Sequence, residues 1–135
     1  MKTGRFSSRA ALRAGFTLIE IMIVVMIIGL LAMIAMPAIT GSMNTARYNA
    51  IINNLKVIDN QKALWSADHK TGDGKEPTEA DLAPYFNNGK FPALVMGEHY
   101  NLNPVGTPPT ATIPTRLKMP KMTIESGGTI ELPDK

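Results

Sequence analysis

Apolar side chains fill nearly every position from Phe16 to Ile39, then thin out into a helical rhythm. Within the first stretch only Thr17, Glu20, Gly29 and Pro37 depart from Ala, Val, Ile, Leu, Met or Phe. A helix over these 24 positions would be roughly 36 Å long, enough to cross a bilayer with tilt. From Asn44 to His69 apolar residues recur at Tyr48, Ile51, Ile52, Leu55, Ile58 and Trp65. Steps of three, four and seven place them on one face, while Asn53, Asn54, Lys56, Asp59 and Asn60 fill the other. No strong breaker separates Ser42 from His69. The two patterns together predict one helix from about Thr17 to about Asp68, membrane-spanning in its first half and core-lining in its second.

Beyond that helix the pattern breaks up. Thr71-Gly72-Asp73-Gly74-Lys75-Glu76-Pro77 has the composition of a loop. Thr78-Glu79-Ala80-Asp81 resembles a capping box with Asp in the place of Glu. It predicts a short helix over Leu82, stopped by Pro84, with Tyr85 and Phe86 packing on the long helix. Prolines recur from Pro92 to Pro133, and short strands fit between them at 98–102, 110–113, 121–125 and 129–132. Gly127-Gly128 has the composition of a hairpin turn joining the last two. Prolines suit edge strands and loops, so the sheet is expected to be small and irregular. The expected fold is α+β: a long N-terminal helix whose amphipathic half packs on a small antiparallel sheet. The expected division is a leader at 1–15, a membrane helix at 16–41 and a globular head at 42–135.

Charge changes the picture at one end only. The chain has 14 basic and 11 acidic residues and a formal net charge of +3. Four of the basic residues, Lys2, Arg5, Arg9 and Arg13, lie before Gly15 with no acid among them. Without that leader the balance is ten against eleven, so the basic pI gives no support for nucleic-acid binding. Basic residues flanking an apolar span remain cytoplasmic, which places the N-terminus inside and the head outside. There are no cysteines, which excludes disulfide staples, thiol catalysis and thiolate metal sites. The apolar run is too long for a secretory signal core. The nearest imitation of a small-x-small cleavage site, Ala35-Met36-Pro37-Ala38, comes at its far end.

Glu20 is the residue that demands a function. An ionised side chain at membrane depth costs roughly 2.5–3.5 kcal/mol on insertion scales, so such a carboxylate is read as a functional site. A milder reading is that Glu20, one turn into the helix, gains from the helix dipole. The surrounding residues carry a resemblance. Arg13-Ala14-Gly15-Phe16-Thr17-Leu18-Ile19-Glu20-Ile21-Met22-Ile23-Val24-Val25, with Pro37 beyond, is similar to the class III leader junction of type IV pilins and type II secretion pseudopilins. It covers about residues 9 to 40.

The resemblance implies a pilin-like fold and a defined processing route. A membrane prepilin peptidase would cut between Gly15 and Phe16 and methylate the new Phe16 amine, so the chain is a substrate there. Glu20 would be the assembly residue, facing the freed amine within a chain or between chains. Gly29 and Pro37 are the places where the helix would kink or unwind. The resemblance also implies self-association with other pilin-like subunits. An inner-membrane assembly platform and a cytoplasmic ATPase would drive the helices out of the bilayer of a bacterial inner membrane. The filament would then be periplasmic or on the cell surface.

Other candidates are weak. Asp68, Asp73 and Glu76 crowd one loop, but their spacing, with Lys70 and Lys75 interposed, does not match an alternating calcium loop. His69 and His99 are isolated from each other in sequence, and Ser7, Ser8, Ser42, Ser66 and Ser126 lack a nucleophile's setting. Trp65 and Tyr48 read as core. No metal, cofactor or enzymatic constellation is expected. The expected function is a structural filament subunit, foremost a type II secretion pseudopilin. The alternatives are a type IV pilus major or minor pilin, and a single-pass anchored binding protein that never polymerises. Glu20 distinguishes the last, since a mere anchor has no use for it.

Overall fold

The computed structural model describes residues 15–133. The leader residues 1–14, with their basic charges, lie outside the described part. The long helix α1 runs from Leu18 to Asp68 over 51 residues, unbroken through Gly29 and Pro37. A short helix α2 (Glu79–Leu82) is followed by a single 3₁₀ turn (Ala83–Tyr85). Five strands come next: β1 (His99–Asn101), β2 (Thr110–Thr112), β3 (Leu117–Lys118), β4 (Thr123–Ile124) and β5 (Thr129–Glu131). The architecture is α+β. The chain divides into two units, one ending at Met36 and one beginning at Pro37.

The first unit is the apolar part of α1. It is long and apolar enough to cross a membrane, and its residues from Phe16 to Met36 are exposed to the surroundings throughout.

The second unit buries one face of α1. Ile51, Leu55 and Ile58 are fully buried, with Ile52 and Trp65 beside them, as the three-and-four spacing requires. Tyr48 is half-buried against the same core. The opposing wall is the antiparallel sheet β1-β2-β5. Its central cross-strand row is Tyr100, Ala111 and Ile130, all buried, while the positions on either side point outward or are half-covered. This is the period-two alternation of a sheet with one wet face. Phe86 and Phe91 meet edge-on with centroids 5.4 Å apart, and Phe91 lies 5.9 Å from the Tyr100 ring.

The capping box forms as the sequence suggests. The Thr78 N–H and hydroxyl both donate to Asp81 Oδ2, at 2.9 and 2.7 Å, and the Asp81 N–H donates back to Thr78 Oγ1 at 3.3 Å. Pro84 lies in the 3₁₀ turn, and Tyr85 reaches α1 through its hydroxyl, which donates to Asp68 Oδ2 at 2.7 Å.

The C-terminal strands pair differently from the sequence expectation. β5 pairs with β2, with Ile130 opposite Ala111, and β4 pairs with β3 as a separate two-stranded hairpin. Gly127-Gly128 does make a tight turn, closed by the Gly128 N–H on the Glu125 carbonyl at 2.9 Å, with Gly127 at φ +79°. That turn carries the chain from one sheet to the other. Ile130 is buried and faces the core beside Ala111, and a one-residue change of register would turn it to the solvent face. Strand β3 escaped the sequence reading because only two residues, between Pro114 and Pro120, pair.

Two buried charged groups organise the loops of the head, Lys62 from α1 and Glu98 from the segment before β1. Lys62 is 2% exposed, and its ammonium donates to the carbonyls of Leu102 (2.5 Å), Pro104 (3.1 Å) and Thr107 (2.7 Å). Three donors meet three acceptors, the geometry that makes a buried ammonium tolerable. Burial pushes its pKa below the ordinary lysine range, partly offset by Asp59 and Glu76. Glu98, also 2% exposed, accepts from the N–H groups of Val95 and Met96 and from the Tyr100 hydroxyl. Burial opposes its ionisation, but these donors outweigh it and hold the carboxyl below its usual range. Tyr100 is pushed the other way, up, by burial and by Glu98, while Asn54 of α1 donates to its hydroxyl at 2.8 Å.

Candidate functional site

The start of α1 is built from four consecutive decisions. Gly15 and Phe16 precede the helix in irregular backbone, and Phe16 is 85% exposed. Thr17 precedes the first helical residue, Leu18, and its carbonyl takes the N–H of Ile21 at 3.4 Å. Glu20 folds back on Thr17: the Thr17 N–H and hydroxyl donate to Glu20 Oε2 at 2.8 and 2.7 Å. The Glu20 N–H in turn approaches Thr17 Oγ1 at 3.3 Å. This is a capping box, and it satisfies donors that a helix start otherwise leaves unpaired.

The box sharpens the reading of Glu20. In an apolar medium an unpaired N–H costs several kcal/mol, so a carboxylate at this position neutralises the helix start and is itself hydrogen-bonded. It is held against the backbone nitrogen of residue 17, one residue from the nitrogen of Phe16. The sequence signal was available: Thr-Leu-Ile-Glu has the same spacing as Thr78-Glu79-Ala80-Asp81. Thr17 is therefore the hydrogen-bond partner of Glu20, a pairing that the sequence reading did not single out.

Gly29 and Pro37 lie far from this cluster, both inside the helix. A Cβ added at Gly29 would meet nothing within 4 Å, and Pro37 supplies no N–H to the turn before it. Ser42 and Thr45, in the first turns after the apolar run, donate back to the carbonyls of Ala38 (3.1 Å) and Gly41 (2.9 Å). Among the described residues no group of three or more His, Asp or Glu side chains is placed to hold a metal ion. His69 stacks near Trp65 with ring centroids 5.2 Å apart, and Asp68 is taken by Tyr85.

Comparison with known proteins identifies relatives of this chain. A family profile described as "Prokaryotic N-terminal methylation motif" matches residues 11–36, the span holding Gly15, Phe16, Thr17 and Glu20. The chain is 32% identical over 101 residues to the type II secretion system core protein G of Escherichia coli K12. That alignment covers 65% of this chain and 70% of the relative. The chain belongs to the pilin-like family that includes the secretion pseudopilins. A second pilin-like relative is the competence protein ComGC of Halalkalibacterium halodurans, 37% identical over 57 residues, covering 42% of this chain and 56% of that protein. No solved structure matches. As a pilin-like protein the chain is a structural filament subunit with a membrane-anchoring N-terminal helix, and its relatives are subunits of that kind rather than enzymes.

Proposed function

We propose that this pilin-like subunit is a pseudopilin of a type II secretion system. The reading rests on one observation above others: the likeness to a secretion core protein continues well past the leader motif, over 101 residues. The leader motif alone is common to many pilin-like proteins and supports only the family. In this reading a prepilin peptidase cuts between Gly15 and Phe16 and methylates the Phe16 amine. The N-terminus starts on the cytoplasmic side and the head lies outside the inner membrane.

The chemistry of assembly follows from the capped helix start. Cleavage puts a new amine on Phe16, one residue before the Thr17 nitrogen that already donates to Glu20. An amine and a carboxylate brought together away from water attract far more strongly than in solution. Between subunits the pair would fix axial register, since a helix one residue out of step leaves both charges unpaired. The apolar helices are already out of water in the bilayer, so hydrophobic burial alone gives little reason to leave it. Extraction is therefore driven work, which calls for an assembly platform and a cytoplasmic ATPase as partners. Gly29 and Pro37 are the points where the helix can bend or unwind as subunits pack.

The competence relative favours a second reading, a pilus-type subunit outside secretion, and its shorter aligned stretch supports that less. The test of processing is the intact mass of membrane-extracted protein. The expected species begins at Phe16 and carries one methyl group. Retention of Met1, or a start near Ala38, contradicts the filament reading.

A further inference from the structure

The β3–β4 hairpin lies where α1 leaves its apolar run. Its turn, Met119 to Met122, is closed by the Met119 N–H on the Met122 carbonyl at 2.8 Å. Pro120 in that turn packs on Gly41, where an added Cβ would come within 3.5 Å of the ring. The side-chain amide of Asn44 donates to the Lys118 carbonyl at 3.0 Å. Gly41 and Asn44 follow Ile39, the last residue of the apolar run, by roughly 3 and 7.5 Å along the helix. A headgroup layer is about 5–8 Å deep on each side of the hydrocarbon core. Chain connectivity thus places the hairpin at headgroup depth when α1 spans a bilayer.

Charge at this level is mainly positive, and Glu125 beside β4 is offset by Arg116. Arg47, Arg116, Lys118 and Lys121 are all exposed. No acidic residue occurs from Ile21 to Ile58 or from Ile113 to Ile124. Arg116 pairs with Glu125 at 3.3 Å, whereas Lys118 and Lys121 have no acidic partner within ion-pair distance among the described residues. Met43 and Met122 add exposed apolar surface, 52% and 44% exposed. The acidic residues Asp68, Asp73, Glu76, Glu79 and Asp81 gather at and just beyond the other end of α1, about 40 Å along the helix from Gly41. Lysines flanking methionines in this way match a surface that offers phosphate outside and acyl chains beneath.

We propose that the β3–β4 hairpin docks on the anionic lipid surface around the point where α1 enters the bilayer. Lys118 and Lys121 meet lipid phosphates, and Met122 enters the boundary below them. Docking would hold the head on the membrane before assembly and would have to be released as the subunit is extracted. The proposal rests on the membrane-anchored reading of α1, and the test separates the two.

The probe is the full chain reconstituted in phosphatidylcholine vesicles, with or without phosphatidylglycerol. The chain has no cysteine, so Met122→Cys and Glu79→Cys each take a single fluorophore, one on the hairpin and one beside the far end of α1. Quenching by headgroup nitroxide lipids reports proximity to the surface, and resistance to alkaline extraction reports whether α1 is anchored. The proposal predicts that the Met122 label is quenched far more than the Glu79 label when phosphatidylglycerol is present. Lys118→Gln with Lys121→Gln should lower the docked-to-free ratio about 25-fold, because each cation near an anionic surface is worth about a fivefold change. Salt near 1 M should do the same. Anchored protein with equal quenching at both labels overturns docking, as does Met122 quenching that ignores phosphatidylglycerol and both lysines. If the double variant leaves quenching unchanged but lowers filament yield, the hairpin's partner is a neighbouring subunit and the lipid proposal fails. Loss of the protein to alkaline extraction refutes the anchor reading itself.

Discussion

The two halves of α1 have the same backbone and opposite solvents. Up to Met36 apolar side chains point outward on every side and none is buried. From Asn44 to Trp65 one face carries Ile51, Ile52, Leu55, Ile58 and Trp65, and that face is covered by the chain's own sheet and loops, while Val57 and Leu64 on the other side stay exposed. The second half carries its packing partner in its own sequence. The first half has none there, so its partner must be supplied, first by lipid and then by other copies. The difference extends to their charged groups. Lys62 in the second half is satisfied by three carbonyls of its own head. Among the described residues Glu20 in the first half is hydrogen-bonded to Thr17, and in the proposed reading it meets the amine that cleavage would create.

Mutations break the comparison most sharply in the cores of the two halves. Leu55→Ala should destabilise the head by about 2–5 kcal/mol, as buried large-to-small changes do. Ile28→Ala should leave the thermal midpoint of the head unchanged, since Ile28 is 60% exposed and outside that core. Circular-dichroism melts in detergent check both. A comparable loss from Ile28→Ala would mean that the two halves share a folding partner.

A smaller effect, of about 2–3 kcal/mol, is expected for Lys62→Met, which leaves acceptors at Leu102, Pro104 and Thr107 without their donor. Lys56→Met, six residues earlier on the exposed face, should stay within about 0.5 kcal/mol. Urea titrations of the two variants side by side measure the difference.

The smallest effect is on pH dependence. Glu98 has its carboxyl pKa lowered in the fold. Between its folded and unfolded values the unfolded chain therefore binds more protons, and stability rises with pH there. Its contribution is fully present above the ordinary glutamate range near about 4.3 and is lost as pH falls through the folded value. Glu98→Gln should flatten the acid limb of a melting-temperature profile and leave the neutral plateau flat. An unchanged acid limb would place the titrating group elsewhere.

The long helix was legible because its two hydrophobic patterns are long and unambiguous: a continuous run over 16–39, then helical spacing from Tyr48 to Trp65. The capping box at Thr78 was legible for a local reason, the i, i+3 side-chain geometry. The same i, i+3 geometry recurs at Thr17 and Glu20, where the membrane setting makes the charge of Glu20 the stronger sequence signal. The strand pairing was not legible. Two- and three-residue strands between prolines carry no register signal of their own, and Ile130 joins β2 rather than β4 because of a core that forms only in three dimensions. Lys62 was invisible for the same reason, since its three acceptors come from a loop forty or more residues away.

The most direct test of the central claim, that the first half of α1 is built for a partner outside its own chain, is Glu20→Ala. The measurement is filament or secretion yield set against the amount of processed protein in the membrane. Removing the charge should leave insertion equal or better, and cleavage after Gly15 intact. Assembly should fail or become irregular, because a buried amine without its carboxylate costs about 3–5 kcal/mol. Normal assembly from Glu20→Ala at normal membrane levels would contradict the account and leave α1 as a simple anchor.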